Sequence, residues 1–403
     1  MRARHGGERG AALLVVMVAV AVLTALAVDL AYESRVSLQI AANARDELRA
    51  SYLARSGVTL SRLVLSFQQT LDDATAGVPN VPGASVPRIQ LWRMVPVGSS
   101  LAGSLFGGAA TGGTAAAPSV RFDAVIEDEG RKVNAQLEAL DSTNKLLSAQ
   151  VQALYQLICE PRWDPLFDED AQGQRTTRED LLIHFRDWVD GDPRSSALRA
   201  SSAAATSCGM VVGQPAFEDG FGDENAPYDR GDDRYRAKNA RMDSLDELYL
   251  VAGVTDAFMA AFGDAMTVYL PRDAKQNVNT IDREELLRLA RIIASPRTQA
   301  PLFDPAFANR LQKAVILATF GGIGSLTPAA FGALVEGAGV VVDKNLIADA
   351  TTPFTDRSIT FRVRATGVAG DVTSAIDAVV RLEKAQAGAA TAAPGRIIHW
   401  REE

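Results

Sequence analysis

An uncharged apolar run near the N-terminus constrains this 403-residue chain more than any other feature. Residues 11–28 read AALLVVMVAVAVLTALAV, in which Thr24 is the only polar side chain. A helix of eighteen residues is ~27 Å long, close to the ~30 Å hydrocarbon core of a bilayer. The run therefore predicts one transmembrane helix, which we assign to residues 11–29.

The charges before the run predict how the chain is oriented. Arg2, Arg4 and Arg9 precede it, and positively charged flanks stay in the cytoplasm. The expected location is thus the inner membrane, crossed once, with the C-terminal bulk in the periplasm. A cleaved secretory signal peptide is the alternative. It is disfavoured because the run is longer than a usual signal core and no A-x-A site precedes a clear mature start.

The helical pattern continues beyond the membrane. No proline occurs before Pro79, and after Gly10 the first glycine is Gly57. A single helix over residues 11–68 would be roughly 85 Å long, and we expect its periplasmic part to cover residues 30–74. Apolar residues recur at helical spacing, which predicts that this side of the helix packs on a globular domain. These residues are Leu48, Tyr52, Leu53, Ser56, Leu60, Leu63 and Phe67.

Composition excludes several classes of protein. The net charge of -8 argues against nucleic-acid binding, which requires a basic surface. Three histidines and two cysteines are too few for a His- or Cys-rich zinc site. No G-x-S-x-G, H-E-x-x-H or phosphate-loop pattern occurs, and His184 lies among apolar neighbours as a core residue would. We therefore expect no enzyme, with a membrane-tethered hydrolase as the alternative.

The order of predicted elements indicates an α+β fold. Alternating strand patterns occur at 120–126 and 358–366 and again at 396–400, and a long helical region lies between the first two. Neither group of strands is large enough to form a stable sheet alone. We predict a long N-terminal helix on a small antiparallel sheet, with a large all-α domain inserted between strands. Two sequential domains are the alternative.

The predicted boundaries follow from this order, with the α+β domain formed by 75–137 and 350–403. The inserted all-α domain would span 138–349. Its segments at 246–254 and 277–290 are similar to helix-hairpin-helix units, which bind DNA phosphates where the surroundings are basic. Acidic residues surround this hairpin, so we interpret the units as packing elements, with Gly253 permitting the turn.

Acidic residues are densest between 187 and 233. DWVDGD (187–192) and EDGFGDEN (218–225) place carboxylates around glycine turns, and DRGDD (229–233) follows. Flexible loops of carboxylate and carbonyl oxygens suit Ca²⁺. The spacing is not that of an EF-hand, so a solvated acidic face remains the alternative. Cys159 and Cys208 predict a disulfide in an oxidising compartment, or else two unpaired core residues.

The N-terminus resembles that of type IV pilins and type II secretion pseudopilins, which have a basic leader ending in glycine before one long hydrophobic helix. This resemblance implies that residues 1–10 are a leader, removed between Gly10 and Ala11 by a prepilin peptidase. Most family members carry glutamate at the position of Val15. In lipid such a carboxylate is tolerable only when it is paired with a neighbour's ammonium group. A subunit with Val15 can therefore cap a filament but accept no further subunit.

Four further segments resemble the large minor pseudopilin K (GspK) in the family's order: residues 127–140, 187–192, 235–255 and 277–290. The resemblance implies a minor pseudopilin of the type II secretion system. It would lie at the tip of the periplasmic pseudopilus, initiate or cap its assembly and support export of folded proteins across the outer membrane. A minor pilin of a type IV pilus, acting in assembly or adhesion, is the alternative.

The same resemblance implies partners and a cofactor. The partners are minor pseudopilins of the I, J and H types, bound through the N-terminal helix, together with the prepilin peptidase and the inner-membrane secretion platform. No nucleic acid is expected. The cofactor is calcium in the acidic loop, with an amide at Asn225 where the family usually has an acid. The implied ligands are Asp190, Asp192, Asp223, Glu224, Asn225 and Asp229.

Overall fold

One helix dominates the molecule. The computed structural model describes residues 8–76, 88–106, 120–138, 144–167, 175–202, 208–229, 234–348, 351–383 and 394–403. Its first helix, α1, runs without a break from Glu8 to Ala76, 69 residues or about 100 Å. The side chains between residues 11 and 40 are exposed, and α1 is long and apolar enough there to cross a membrane. Most of the predicted leader, residues 1–7, lies outside the described residues.

The second half of α1 packs on a five-stranded antiparallel sheet. The sheet contains β2 (Val97–Gly98), β3 (Val120–Asp128), β11 (Thr360–Ala369), β12 (Val372–Arg381) and β13 (Arg396–Glu402). Its strand order is β13-β12-β11-β3-β2. Two short helices, α2 (Leu91–Met94) and α3 (Ser99–Phe106), flank strand β2. We call α1 from about residue 50 onward, together with this sheet, the platform.

Small residues bring α1 close to the sheet. Ala50, Ala54 and Ser61 are fully buried on its inner face. On the facing strand β11, a Cβ atom added to Gly367 would overlap the carbonyl oxygen of Ala50 and lie 2.6 Å from the backbone nitrogen of Ala54. The helix backbone therefore rests directly on the strand. The predicted packing side of α1 was wrong in this respect.

Four residues of the predicted packing stripe face away from the sheet. Leu48, Tyr52, Leu63 and Phe67 are all exposed, Tyr52 by 64% and Phe67 by 58%, whereas Leu60 of the same stripe is buried. The prediction gave weight to large apolar side chains. The sheet instead selects the side on which small residues permit the closest approach, because a shorter distance lets more atoms come into van der Waals contact.

The chain between β3 and β11 forms a second, larger core. The insert contains seven α-helices and short 3-10 turns within the described residues. Its helices are α4 (Lys145–Ile158), α5 (Arg178–Val189), α6 (Asp256–Phe262), α7 (Arg283–Ile293), α8 (Pro305–Ala318), α9 (Pro328–Gly337) and α10 (Lys344–Ile347). Its strands are β4 (Val133–Asn134), β5 (Arg194–Ser202), β6 (Met210–Asp223), β7 (Met266–Thr267), β8 (Gln276–Asn277), β9 (Gly324–Ser325) and β10 (Phe354–Thr355).

The predicted fold class, a long helix on a small antiparallel sheet with a largely helical insertion, is confirmed. The insert is not purely helical, however. Strands β5 and β6 form an antiparallel hairpin that packs on α4 and α5. Two further segments have mixed local structure. Residues 88–97 form strand β1 (Arg88–Ile89) followed by α2, and Leu245–Leu250 form a 3-10 helix.

Buried charged groups join platform and insert where the chain passes between them. Asp128, at the end of β3, accepts hydrogen bonds from the Gly130 backbone at 2.7 Å and from Asn277 of the insert at 2.8 Å. Burial raises the pKa of Asp128. The next residue, Glu129, pairs with Lys132 at 2.8 Å and with Arg362 of β11 at 2.7 Å. Burial would raise the pKa of Glu129, but these two cations outweigh it and hold that pKa below its usual range.

We predict that Gly367→Val destabilises the platform strongly. A valine side chain cannot fit against the backbone of α1, so the helix must move away from β11, at a cost of about 3 kcal/mol. Thr366→Val on the opposite face of the strand is the matched control, with less than about 0.5 kcal/mol expected. Urea unfolding of the full chain in detergent measures both. Equal stability of the two variants would contradict the close packing.

Candidate functional site

The N-terminal part of α1 contains the residues of the predicted processing and capping positions. Gly10 and Ala11 lie within the helix, three and four residues into α1. Val15 follows in the apolar run, and its side chain is 66% exposed. Residues 11–28 of α1 therefore offer an uncharged surface with no carboxylate at the position of Val15. Cleavage after Gly10 stays a prediction.

The outward side of α1 carries a second set of exposed apolar side chains further along the helix. We call Leu48, Tyr52, Leu63 and Phe67 the outer stripe of α1. These residues recur at intervals of four and eleven, so they project from one side of the helix, opposite the sheet. A stripe of large exposed apolar side chains on a helix is typical of a surface that binds another helix.

The acidic cluster forms where α5 ends. A capping box starts this helix: the Thr177 hydroxyl accepts from the Asp180 backbone, and the Asp180 carboxylate accepts from the Thr177 backbone. The helix ends at Val189, and Asp190 is its C-cap residue. Its last turn holds Asp187, which is almost fully buried and accepts a 2.8 Å hydrogen bond from the Ser196 backbone of β5. The sequence reasoning did not include Asp187 among the ligands, although its DWVDGD segment contained it.

Asp190 is the most perturbed acid of the cluster. One carboxylate oxygen, Oδ2, lies 3.2 Å from Nε of Arg186 and 3.3 Å from the Ser196 hydroxyl. The other, Oδ1, is buried and has no hydrogen-bond partner. Burial raises the pKa of Asp190 to about 7. Arg186 opposes this shift, and the negative charges of Asp187, Asp192 and Glu224 add to it.

Glu224, in the turn after β6, lies close enough to Asp190 for its charge to raise the pKa of Asp190. Its Oε1 accepts a 2.7 Å hydrogen bond from the side chain of Asn239, while Oε2 is buried without a partner. Burial raises the pKa of Glu224. Asn239 lowers it, and the nearby charges of Asp187, Asp192 and Asp223 raise it further. Of the six predicted ligands, the structure thus groups Asp190, Asp192 and Glu224.

The other three predicted ligands have local structural partners. Asp223 accepts hydrogen bonds from the backbone and side chain of Asn225, at 2.9 and 3.2 Å. The Asn225 side chain in turn accepts from the Ala237 backbone at 3.0 Å. Asp229 is exposed and lies 3.6 Å from Arg234. These residues shape the turn that carries Glu224, whereas the adjoining acids 232 and 233 lie outside the described residues.

The donor set fits a hard divalent cation by its chemistry. Two buried carboxylate oxygens lack partners, and burial together with the negative charges of Asp187 and Asp192 raises the pKa of both Asp190 and Glu224, so a positive charge beside these two acids would be stabilising. Within the described ranges, no three His, Cys, Asp or Glu side chains already converge at metal-binding distances. Asp190 and Glu224 would therefore hold such an ion first, with Asp187 and Asp192 as further oxygen donors.

The two cysteines, Cys159 and Cys208, lie beside the hairpin formed by β5 and β6. Cys159 follows α4, and Cys208 precedes β6. Their sulfur atoms form a disulfide between residues 49 apart in the sequence. The Gln156 side chain donates to the carbonyl oxygen of Cys208 at 3.0 Å, and Gln152 donates to that of Met210 at the same distance. The disulfide and the two glutamines attach the hairpin to α4.

The predicted helix-hairpin-helix segment at 246–254 and His184 both make packing contacts. Gly253 has a φ of +88°, and a Cβ atom there would lie 2.6 Å from Thr176, so the turn requires glycine. Leu248 is fully buried, whereas Leu250 is exposed. Nδ1 of His184 lies 2.9 Å from the carbonyl oxygen of Ala252. This contact joins α5 to the turn.

Comparison with solved structures finds a likeness in fold. No protein-family model matches the chain, and no curated protein sequence does. A chain of the crystal structure of the GspK-GspI-GspJ complex from the enterotoxigenic Escherichia coli type 2 secretion system resembles it with a TM-score of 0.50 and 15% sequence identity. The likeness covers 90% of this chain and 99% of that one. At such low identity it shows the fold alone, so the predicted resemblance is confirmed for the fold.

We predict that removing the disulfide weakens the insert. The bridge closes a loop of about fifty residues, which stabilises by about 4 kcal/mol in the chain-entropy model. Cys159→Ser/Cys208→Ser should lose about this much free energy of unfolding in urea, and reductant should lower the stability of the wild type but not of the double variant. Two chains that unfold at the same urea concentration would contradict the prediction.

Proposed function

We propose that this chain is a minor pseudopilin of the type II secretion system, located at the tip of the periplasmic pseudopilus. The observation that carries the proposal is the fold likeness over nine-tenths of the chain to a component of a GspK-GspI-GspJ complex. The basic leader and the apolar run at residues 11–28 agree with it. In this role the chain is a structural subunit rather than an enzyme, anchored once in the inner membrane with its bulk in the periplasm.

The capping role rests on α1 and on the insert. Val15 supplies no carboxylate to pair with the N-terminal ammonium group of a following subunit, so addition of another subunit would leave that charge unpaired in lipid. The insert then adds bulk beside the platform, between β3 and β11. A subunit of this kind can begin or finish a filament and thereby support export of folded proteins across the outer membrane.

The outer stripe of α1 is the surface proposed for partner binding. Leu48, Tyr52, Leu63 and Phe67 are exposed on the side of the helix opposite the sheet, where the helix of another subunit can pack. The similar solved structure is a GspK-GspI-GspJ complex, which favours I- and J-type pseudopilins as partners. We propose an H-type pseudopilin as a further partner. The prepilin peptidase and the inner-membrane secretion platform complete the proposed set. A minor pilin of a type IV pilus remains the second candidate.

The expected position and processing can be tested together. Pseudopili isolated from cells that express the full chain should carry it at one end only, as detected by gold-labelled antibody against the insert. The N-terminal sequence of the mature chain should begin at Ala11, because the peptidase cleaves after Gly10. Labelling along the shaft, or a mature chain beginning elsewhere, would contradict the proposal. Labelling of extracellular pili would favour the type IV pilus.

We also propose that the acidic cluster binds calcium. The two unpartnered carboxylate oxygens and the mutual repulsion of Asp187, Asp190, Asp192 and Glu224 support this assignment. Ser196 of β5 contacts both Asp187 and Asp190, and Arg194 donates its backbone N–H to Asp192 at 3.0 Å. An ion bound by these acids would therefore fix the end of α5, the start of β5 and the turn after β6 together.

We predict opposite effects of Asp190→Asn with and without calcium. Titration calorimetry should show calcium binding to the wild type, whose unfolding free energy should rise by about 2.7 kcal/mol at a hundredfold excess over Kd. The variant should lose that gain, yet in a chelator it should be at least as stable as the wild type, because one buried, repelled charge is gone. Asp219→Asn, an exposed acid of β6, is the matched control. No heat from the wild type would refute the site.

A further inference from the structure

A small polar cavity lies where α1, the platform and the insert meet. Gln68 and Asp72 of α1 line it, together with Asp128 of the platform and Asn277 and Ser325 of the insert. Its volume is about 30 Å³, and a buried water molecule needs about 10–15 Å³. The cavity shares no lining residue with the acidic cluster or with the outer stripe of α1.

Gln68 joins α1 to the chain segment on one side of the cavity. Its Nε2 donates to the carbonyl oxygen of Ile89 at 3.1 Å and to the carboxylate of Asp72 at 3.0 Å. Its Oε1 accepts from the backbone N–H of Leu91 at 2.6 Å. Both ends of this amide are therefore engaged with protein groups.

Asn277 plays the corresponding part on the side of the insert. Its Nδ2 donates to Asp128 at 2.8 Å and to the Ser358 hydroxyl at 3.0 Å. Its Oδ1 accepts from the backbone and from the side chain of Asn279, both at 3.0 Å. This second amide is likewise engaged at both ends, so it offers no free hydrogen bond to a ligand.

Gln90 differs from these two residues. It lines the cavity and is only 8% exposed, yet its Oε1 atom is buried and has no hydrogen-bond partner. It directly precedes α2, but its side chain makes no capping bond to that helix. Its backbone N–H donates to the carbonyl oxygen of Ile323 at 2.8 Å, which fixes the residue in place. A buried acceptor without a partner is costly, so this oxygen points to a donor bound in the cavity.

The charges around the cavity nearly cancel. Three carboxylates line it, those of Asp72, Asp128 and Asp356. The guanidinium groups of Arg88 and Arg357 lie beside them, and Arg88 pairs with Asp356 at 3.0 Å. Burial raises the pKa of Asp72 and of Asp128, which favours the neutral form of both. Within the described ranges, no three acidic, histidine or cysteine side chains converge at metal-binding distances. The lining therefore favours a neutral ligand over an ion.

We propose that this cavity binds one or two ordered water molecules, which donate to Oε1 of Gln90 and bridge it to the lining carboxylates. Size decides against larger neutral solutes, because the cavity has room for no more than this. Trp92 and Phe361, whose ring centroids are 5.6 Å apart, form its apolar side. The bound water would add hydrogen bonds that join α1, the platform and the insert. The inference does not depend on the proposed function.

A crystal structure of the full chain in detergent tests the site directly. We expect one or two density peaks about 2.6–3.2 Å from Oε1 of Gln90 and from an oxygen of a lining carboxylate. A cavity without density would overturn the inference, as would a Gln90 amide turned outward into solvent. A peak with several oxygen contacts at about 2.4 Å would identify a cation and overturn it as well.

Urea unfolding of the full chain gives a second, independent test. Gln90→Met keeps the length of the side chain but removes its amide. If water binds Oε1, the variant should raise the unfolding equilibrium constant about fivefold, because hydrogen bonds are lost. If Oε1 is merely unsatisfied, the constant should fall, because a buried unpaired acceptor is removed. An unchanged or lower constant would therefore overturn the inference.

Two further glutamines provide matched controls for this substitution. Gln39→Met, at an exposed position of α1, should change the unfolding equilibrium constant by less than about twofold. Gln152→Met should raise the constant at least as much as Gln90→Met, because Gln152 bonds directly to the backbone of Met210 and Val212.

Discussion

The close approach of α1 to β11 determines the rest of the architecture. The backbone of Gly367 lies against Ala50 and Ala54, and no larger residue fits there. The inner side of the helix combines small residues at the closest approach with larger buried ones further along, Val58, Val64 and Leu65. The close approach therefore fixes which side of α1 meets the sheet, and it leaves the outer stripe exposed on the other side.

The insert needs its own attachment, because a chain that leaves a sheet and returns to it closes a loop of more than two hundred residues. Asp128 and Glu129 provide that attachment at the exit, where they contact Asn277 of the insert and Arg362 of the returning strand. Buried charges are costly unless they are paired and hydrogen-bonded. Their partners here come from distant parts of the chain, so the network forms only when platform and insert are both in place. It specifies how the two are arranged.

Much of the fold could be predicted because the signals are local. The absence of proline up to Pro79 predicts α1, and strand alternation predicts β3, β11 and β13. The packing side of α1 could not be found in this way, since it depends on the shape of the facing strand. The hairpin β5–β6 was also missed, because its sequence is rich in small and polar residues without regular alternation.

The acidic cluster shows the same division between local and long-range information. Asp190 and Asp192 stand out in the sequence by their spacing around Gly191, but Asp187 does not. Its role depends on the buried last turn of α5 and on Ser196, nine residues later. Asp223 and Asn225 look like ligands in sequence, yet they bond to each other and to Ala237, because short polar side chains readily cap turns. The sequence shows where acidic residues are clustered along the chain. Only the structure shows which carboxylate oxygens already have a hydrogen-bond partner and which remain available to an ion.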